Sequence, residues 1–152
     1  MSRPFARDRG RGQSLVEFAL VLPIFMLIVF GIVDGGRVVF ANNDMAQATR
    51  NVARVASTTC FNTTPACSKT SGPIAAAIAT NGSSMLVNPT WTVQCLNPTT
   101  LAIRINNGTT DPCKVGDLVR VTVSSPMLFV TPVASSFGPV NLGSKSEQEI
   151  LQ

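Results

Sequence analysis

The sequence predicts an α+β fold. A long N-terminal helix, transmembrane in its first half and amphipathic in its second, leads into a small disulfide-braced antiparallel β domain. Three observations carry this. From Ser14 to Val33 the chain is apolar and holds one charge, Glu17, over about 20 residues, the length that crosses a bilayer as a helix. Apolar residues then recur at helical spacing as far as Val55. Beyond residue 57 the composition turns to Ser, Thr, Asn, Pro and Gly, with short alternating runs and all four cysteines.

The 152 residues suit one globular domain with an appendage. Only 13% are charged, against about 25% in an ordinary soluble domain. The net charge of +4 is unevenly spread. Arg3, Arg7, Arg9 and Arg11 against Asp8 give the first twelve residues +3, which leaves +1 for the rest. Such a cluster reads as an orientation signal for membrane insertion, with the basic end inside, and not as a surface for nucleic acid. Three segments follow: a basic leader at 1–12, a helix at 13–57 that spans the membrane at about 14–33, and an extracytoplasmic domain at 58–152.

The apolar run is about 30 Å long as a helix, matching the hydrocarbon thickness. A buried core helix this uniformly apolar needs a larger domain around it than the remaining chain supplies. A cleaved secretory signal has a shorter apolar stretch, about 7–15 residues, closed by a small-residue site. Here the run leads straight into a patterned helix. Val38, Ala41, Met45, Ala48, Val52 and Val55 form an a/d-type seam between polar Arg37, Asn42, Asn43, Asp44, Gln47, Arg50, Asn51 and Arg54. One continuous helix is therefore expected from about Ser14 to Ser57. Its seam is expected to pack on the chain's own outer domain and also to serve contacts with neighbouring subunits. Pro23 removes a donor to the carbonyl of Ala19 and is expected to kink the helix. Gly31 and Gly35 have the small-xxx-small spacing that lets helices approach closely.

In the outer domain, residues 58–72 read as a loop around the first cysteine pair. Pro73–Thr80 reads as a two-turn helix, begun by proline and ended by Asn81-Gly82. Strands are expected at Trp91–Leu96, Leu101–Ile105 and Asp117–Ser124, each alternating apolar and polar residues. A fourth is expected within Asn141–Leu151. Thr131 is expected to cap a short helical turn begun by Pro132 and stopped by Gly138. The N-x-[ST] sequons at Asn62, Asn81 and Asn107 are read as chance in a segment rich in these residues.

The cysteines Cys60, Cys67, Cys95 and Cys113 include no CxxC, and the chain has no histidine. No metal site is expected, and two disulfides formed in an oxidising compartment are. Three pairings are open. The local one, Cys60–Cys67 with Cys95–Cys113, is favoured because sequence-near cysteines meet most readily, and closing the second loop is worth about 3 kcal/mol.

Catalysis is not expected. There is no histidine or tyrosine, no nucleophile with an evident base, no phosphate-binding glycine loop, and no call for a cofactor. Asp111 and Asp117 read as turn residues, Glu147 and Glu149 lie near the end, and the single Trp91 reads as core.

The informative constellation is Gly12, Gln13 and Glu17. A basic leader ends in glycine, an apolar helix starts at once, and a glutamate stands five residues after that glycine. A carboxylate within a membrane segment costs about 2.5–3.5 kcal/mol at the bilayer centre and is usually partnered and functional. The arrangement resembles the class III signal of type IV pilins, which a prepilin peptidase cuts after the glycine. That resemblance implies cleavage between Gly12 and Gln13, with Glu17 becoming the fifth mature residue and pairing with the new α-ammonium group. Over residues 11–57, RGQSLVEFALVLPIFMLIVFGIVDGGRVVFANNDMAQATRNVARVAS is similar to the TadE-like family of pilin-like proteins of tight-adherence (Tad) pilus systems. The VEFALVLP run and MAQATRNVARVA carry the similarity, and VTVSSPMLFVTPVASSFGPVNL resembles the family's ending.

The resemblance implies a structural pilus subunit, major or minor. Its partners would be other pilin subunits, prepilin peptidase, the inner-membrane assembly machinery and the membrane itself. Its place would be the bacterial inner membrane, single-pass with the C-terminal domain outside, and then the extracellular pilus. The chain departs from most type IV pilins in having Gln13 where they have Phe or Met, and from the short Tad pilins in carrying a whole outer domain. The competing class is a permanently anchored adhesin or receptor, which needs neither Gly12 nor cleavage.

Overall fold

The computed structural model describes residues 10–61, 67–82, 86–106, 113–131, 135–136 and 138–151, with backbone alone at 10, 11, 105 and 106. Two helices and four strands follow in chain order: α1 (Gly10–Thr59), α2 (Gly72–Asn81), β1 (Thr90–Leu96), β2 (Ile103–Asn106), β3 (Leu118–Met127) and β4 (Val140–Glu149). The strands form one antiparallel sheet in the order β2-β1-β3-β4. The α+β architecture expected from the sequence is the one observed.

α1 is a single helix of 50 residues that includes Pro23. At about 1.5 Å per residue it is about 75 Å long. Its first half has no face covered by the chain, while its second half is amphipathic and lies against β3 and β4. The predicted seam does the packing. Ala41, Met45, Ala48 and Val52 are buried, and Val38 and Val55 are half-buried at its margins. Ala53 and Ala56 widen the stripe, their small side chains letting the helix sit close to the sheet. On the sheet β3 alternates throughout, and β1 alternates as far as Cys95, with Leu96 also buried. Val119, Val121 and Val123 of β3 and Trp91, Val93 and Cys95 of β1 turn inward to one core, as the period of two requires. Trp91 is a core residue.

α2 packs on α1 through Ile74 and Ala77, and Asn51 Nδ2 donates to Asn81 Oδ1 at 2.9 Å. Asn81 also donates to the Ala77 carbonyl at 2.8 Å, so this sequon asparagine is engaged in helix packing. Asn62 and Asn107 lie outside the described residues.

Two strand ends differ from expectation by two residues or more, for physical reasons. β2 starts at Ile103, two residues late. Asn97 Oδ1 accepts the amides of Thr99 and Thr100 at 2.9 and 3.2 Å, the Asn97 carbonyl accepts Leu101 N at 2.9 Å, and Leu101 has φ 54°. Leu101 and Ala102 are thus taken up by an asparagine-built turn. β3 continues past Ser124 through Pro126, which pairs with Asn141. Pairing with β1 stops at Ser124, so Pro126 stands where β3 has one neighbour, the setting in which a strand tolerates proline. β4 is an edge strand, with Lys145, Glu147 and Glu149 among its ten residues. Its polar sequence gives little alternation to read.

The disulfides are Cys60–Cys67 and Cys95–Cys113, with Cα–Cα distances of 4.7 and 6.1 Å. The locally favoured pairing is the one formed. All four sulfurs are buried within 4.8 Å of one another, just beyond the outer end of α1. The two bridges therefore make one plug joining helix, loop and sheet. Nearby, Asp117 acts as a turn residue. Its carboxylate accepts Lys114 N at 2.9 Å and faces Arg104 Nε at 3.5 Å. Its backbone ties β3 to the end of β4 through Ile150 N→Asp117 O at 2.9 Å. Asp111 lies outside the described residues.

Candidate functional site

The residues singled out in the sequence lie along α1, beginning at its N-terminal end. Gly12 and Gln13 lie near the start of the described part of α1. Glu17 lies one turn further and is exposed. Gln13 Nε2 donates to Glu17 Oε1 at 3.4 Å. Side chains on a helix lean toward its N-terminus, and here the tips of the two side chains meet across one turn.

The following stretch is helical through Val33, and its apolar window has no residue buried. This separates it from the core helix of a soluble protein. Around Gly31 and Gly35, a Cβ built on either glycine meets nothing within 4 Å. Among the described residues nothing requires glycine at these two positions, which leaves an open notch on the helix. Pro23 lies mid-span on the same exposed segment.

The seam is placed differently. Met45 and Val52 are fully buried beneath the chain's own sheet. Packing on the outer domain, one of the two roles expected of the stripe, is therefore filled. The surface that α1 leaves open above the span is the opposite one, with Val39, Phe40, Asn43, Gln47, Arg50 and Arg54.

Asp34 was not anticipated. It stands one residue past the apolar run, yet it is buried. Its Oδ1 accepts Val130 N at 3.2 Å, and its Oδ2 accepts Thr131 N at 3.1 Å and the Thr131 hydroxyl. Arg37 Nη1 lies 3.7 Å from Oδ1. The carboxylate thus latches the loop after β3 to the helix where α1 leaves the apolar run. The Thr131 hydroxyl, which sequence reasoning assigned to capping, is drawn to Asp34 instead. The turn itself is partly seen, with Ser135 N donating to the Thr131 carbonyl at 2.8 Å. Pro132 lies outside the described residues.

The Thr131 hydroxyl bond holds the Asp34 carboxyl below its ordinary range, opposed by burial and helped by the Val130 and Thr131 amides and by Arg37. A lowered folded-state value stabilises the fold above the ordinary Asp pKa of about 3.9, and this contribution is lost as pH falls through the lowered value. The latch is therefore closed at neutral and mildly acidic pH and opens only in stronger acid. Asp34→Asn replaces one accepting oxygen by an NH2 donor facing Thr131 N. Hydrogen exchange at Val130 and Thr131 should then quicken roughly tenfold or more at neutral pH. Exchange unchanged from wild type would mean that the latch does not hold the loop.

Residues 12–54 match the family model described as TadE-like protein. No curated protein and no solved structure matches the chain. The matched stretch begins at Gly12 and includes Glu17, the apolar run, Asp34 and the seam up to Val52. The similarity read from residues 11–57 is thereby shown for nearly the whole of that stretch, and the outer domain lies beyond it.

Proposed function

We propose that the chain is a pilin-like structural subunit of a Tad-type or related type IV pilus system, anchored in the inner membrane by α1 and passed from there into a filament. The observation that carries this reading is the TadE-like match over residues 12–54, which falls on the one segment where an uncovered apolar helix, a processing glycine and an internal carboxylate coincide. A prepilin peptidase would cut between Gly12 and Gln13. The new α-ammonium group would then take the place near Glu17 that the Gln13 side chain occupies in the uncut chain.

Assembly would proceed through the surfaces that α1 leaves open. Exchanging lipid for another apolar helix costs little, because lipid tails and packed aliphatic side chains are similar surroundings. The open notch at Gly31 and Gly35 suits close approach by a neighbouring helix. The face of α1 opposite the seam would continue the contact outside the lipid. The role is structural, with no reaction assigned. Whether the subunit is major or minor follows from its stoichiometry in purified filaments.

Mass spectrometry of the chain recovered from cells tests the reading directly. A mature N-terminus at Gln13 is expected. A chain that keeps Met1 in every membrane and filament fraction would favour the permanently anchored adhesin or receptor instead.

A further inference from the structure

The loop that Asp34 latches presents apolar side chains at its surface. Leu128 and Val130 are 61% and 67% exposed, and Val140, paired with Met127 across β3 and β4, is 42% exposed. From Val121 to Ser144 the chain has no charged side chain. A solvent-facing end of a domain ordinarily carries charge, so this end is made for something other than water.

Its position says what. Two backbone amides of the loop are bonded to a side chain one residue beyond Val33. If Ser14 to Val33 fills the hydrocarbon core, Asp34 stands about 1.5 Å outside it. The headgroup layer adds about 5–7 Å on each side. Residues bonded to Asp34 therefore lie within that layer, and the side chains of Leu128 and Val130 are long enough to reach the hydrocarbon. Arg37 is the nearest cation, and Asp34 neutralises it locally.

We propose that the loop at Leu128–Val130 is a second membrane contact, seated in the outer leaflet of the same bilayer that α1 crosses, with the acyl-chain boundary as its partner. This rests on the membrane-anchored reading above. The domain then stands on the bilayer with its sheet end-on and is not free to swing on a tether. Asp34 is the positioning residue, since it sets the depth of the loop. Extraction into a filament has to remove this contact as well as the helix.

The test uses the full chain in phosphatidylcholine vesicles in which some lipid is brominated at shallow acyl positions. The wild type, whose single tryptophan is the buried Trp91, gives the baseline. Leu128→Trp adds a reporter on the loop. Val115→Trp adds one at an exposed position beside the turn where β3 begins, the opposite end of the sheet. The added emission from Leu128→Trp should be blue-shifted and quenched roughly twofold or more relative to Val115→Trp, unchanged on dilution with excess lipid.

Water-like, unquenched emission from Leu128→Trp in a chain that still floats with the vesicles overturns the loop contact and spares the anchor. Failure to float at all overturns both. Quenching that disappears on lipid dilution means that a second copy covers the loop, which also overturns the proposal. Val130→Trp serves as an independent reporter should Leu128→Trp not fold.

Discussion

Glu17→Ala should leave the chain inserted in the membrane at its normal level and lower the yield of filaments by roughly tenfold or more. Both halves follow from where the carboxylate sits. Removing a charge from an apolar segment makes insertion easier, by up to about 2.5–3.5 kcal/mol at the bilayer centre and less near its edge. Within a packed helix bundle the lost carboxylate leaves an amine without its partner, and breaking a buried ion pair costs about 3–5 kcal/mol. In the uncut chain Glu17 Oε1 already accepts a hydrogen bond from Gln13 Nε2 at 3.4 Å. Counting filaments by quantitative microscopy, with a membrane-fraction blot as control, separates the two effects. Normal filament yield from this variant would remove Glu17 from the assembly mechanism.

The second large effect should come from the sulfur plug. Replacing Cys95 and Cys113 together by serine opens a loop of sequence separation 18, worth about 3 kcal/mol on the chain-entropy estimate. In a small domain this corresponds to a fall in melting temperature on the order of 15 °C. Replacing Cys60 and Cys67, at separation 7, should lower it by slightly less, near 2.5 kcal/mol on the same estimate. Both cysteines of a pair must be changed at once. Cys67 Sγ lies 3.2 Å from Cys113 Sγ and 3.5 Å from Cys95 Sγ, so one leftover thiol would sit within reach of the other bridge and exchange with it. Thermal circular dichroism of the full chain in micelles measures the ordering. Equal melting of wild type and both double variants would mean that neither bridge limits stability.

Much of this architecture was legible because it is local. α1, α2 and the inward faces of β1 and β3 are written in spacings of two, three or four residues, and the disulfides join near neighbours. The seam from Val38 to Val55 told which side of the helix is covered, since Met45 and Val52 lie at its centre. The turn at Asn97 was harder, because a side chain bonding its own backbone displaces a strand start without altering the apolar pattern. β4 was faint for the opposite reason. An exposed edge selects for charge and hydroxyl, and those residues carry little periodic signal.

Asp34 escaped notice because its partners, Val130 and Thr131, lie 96 and 97 residues away. No local pattern reports a contact at that range. Two weak signals were nonetheless present: an acid immediately after a membrane-length run, and a charge-free stretch from Val121 to Ser144 late in the chain. Neither has meaning until the fold brings them to the same height.

The strand at the rim of the sheet has a consequence for how such a protein is kept before use. A membrane crowded with identical domains invites unwanted fibrils, because bare strand borders recruit one another through their unpaired amides and carbonyls. β4 offers Lys145, Glu147 and Glu149 along that border, with Glu147 also held by Arg120 at 2.7 Å. Docking a second such border would strip water from these charges and set like beside like in most registers. Uncontrolled growth by strand addition is thus discouraged, which on the proposed pilin reading would leave polymerisation to the apolar helices.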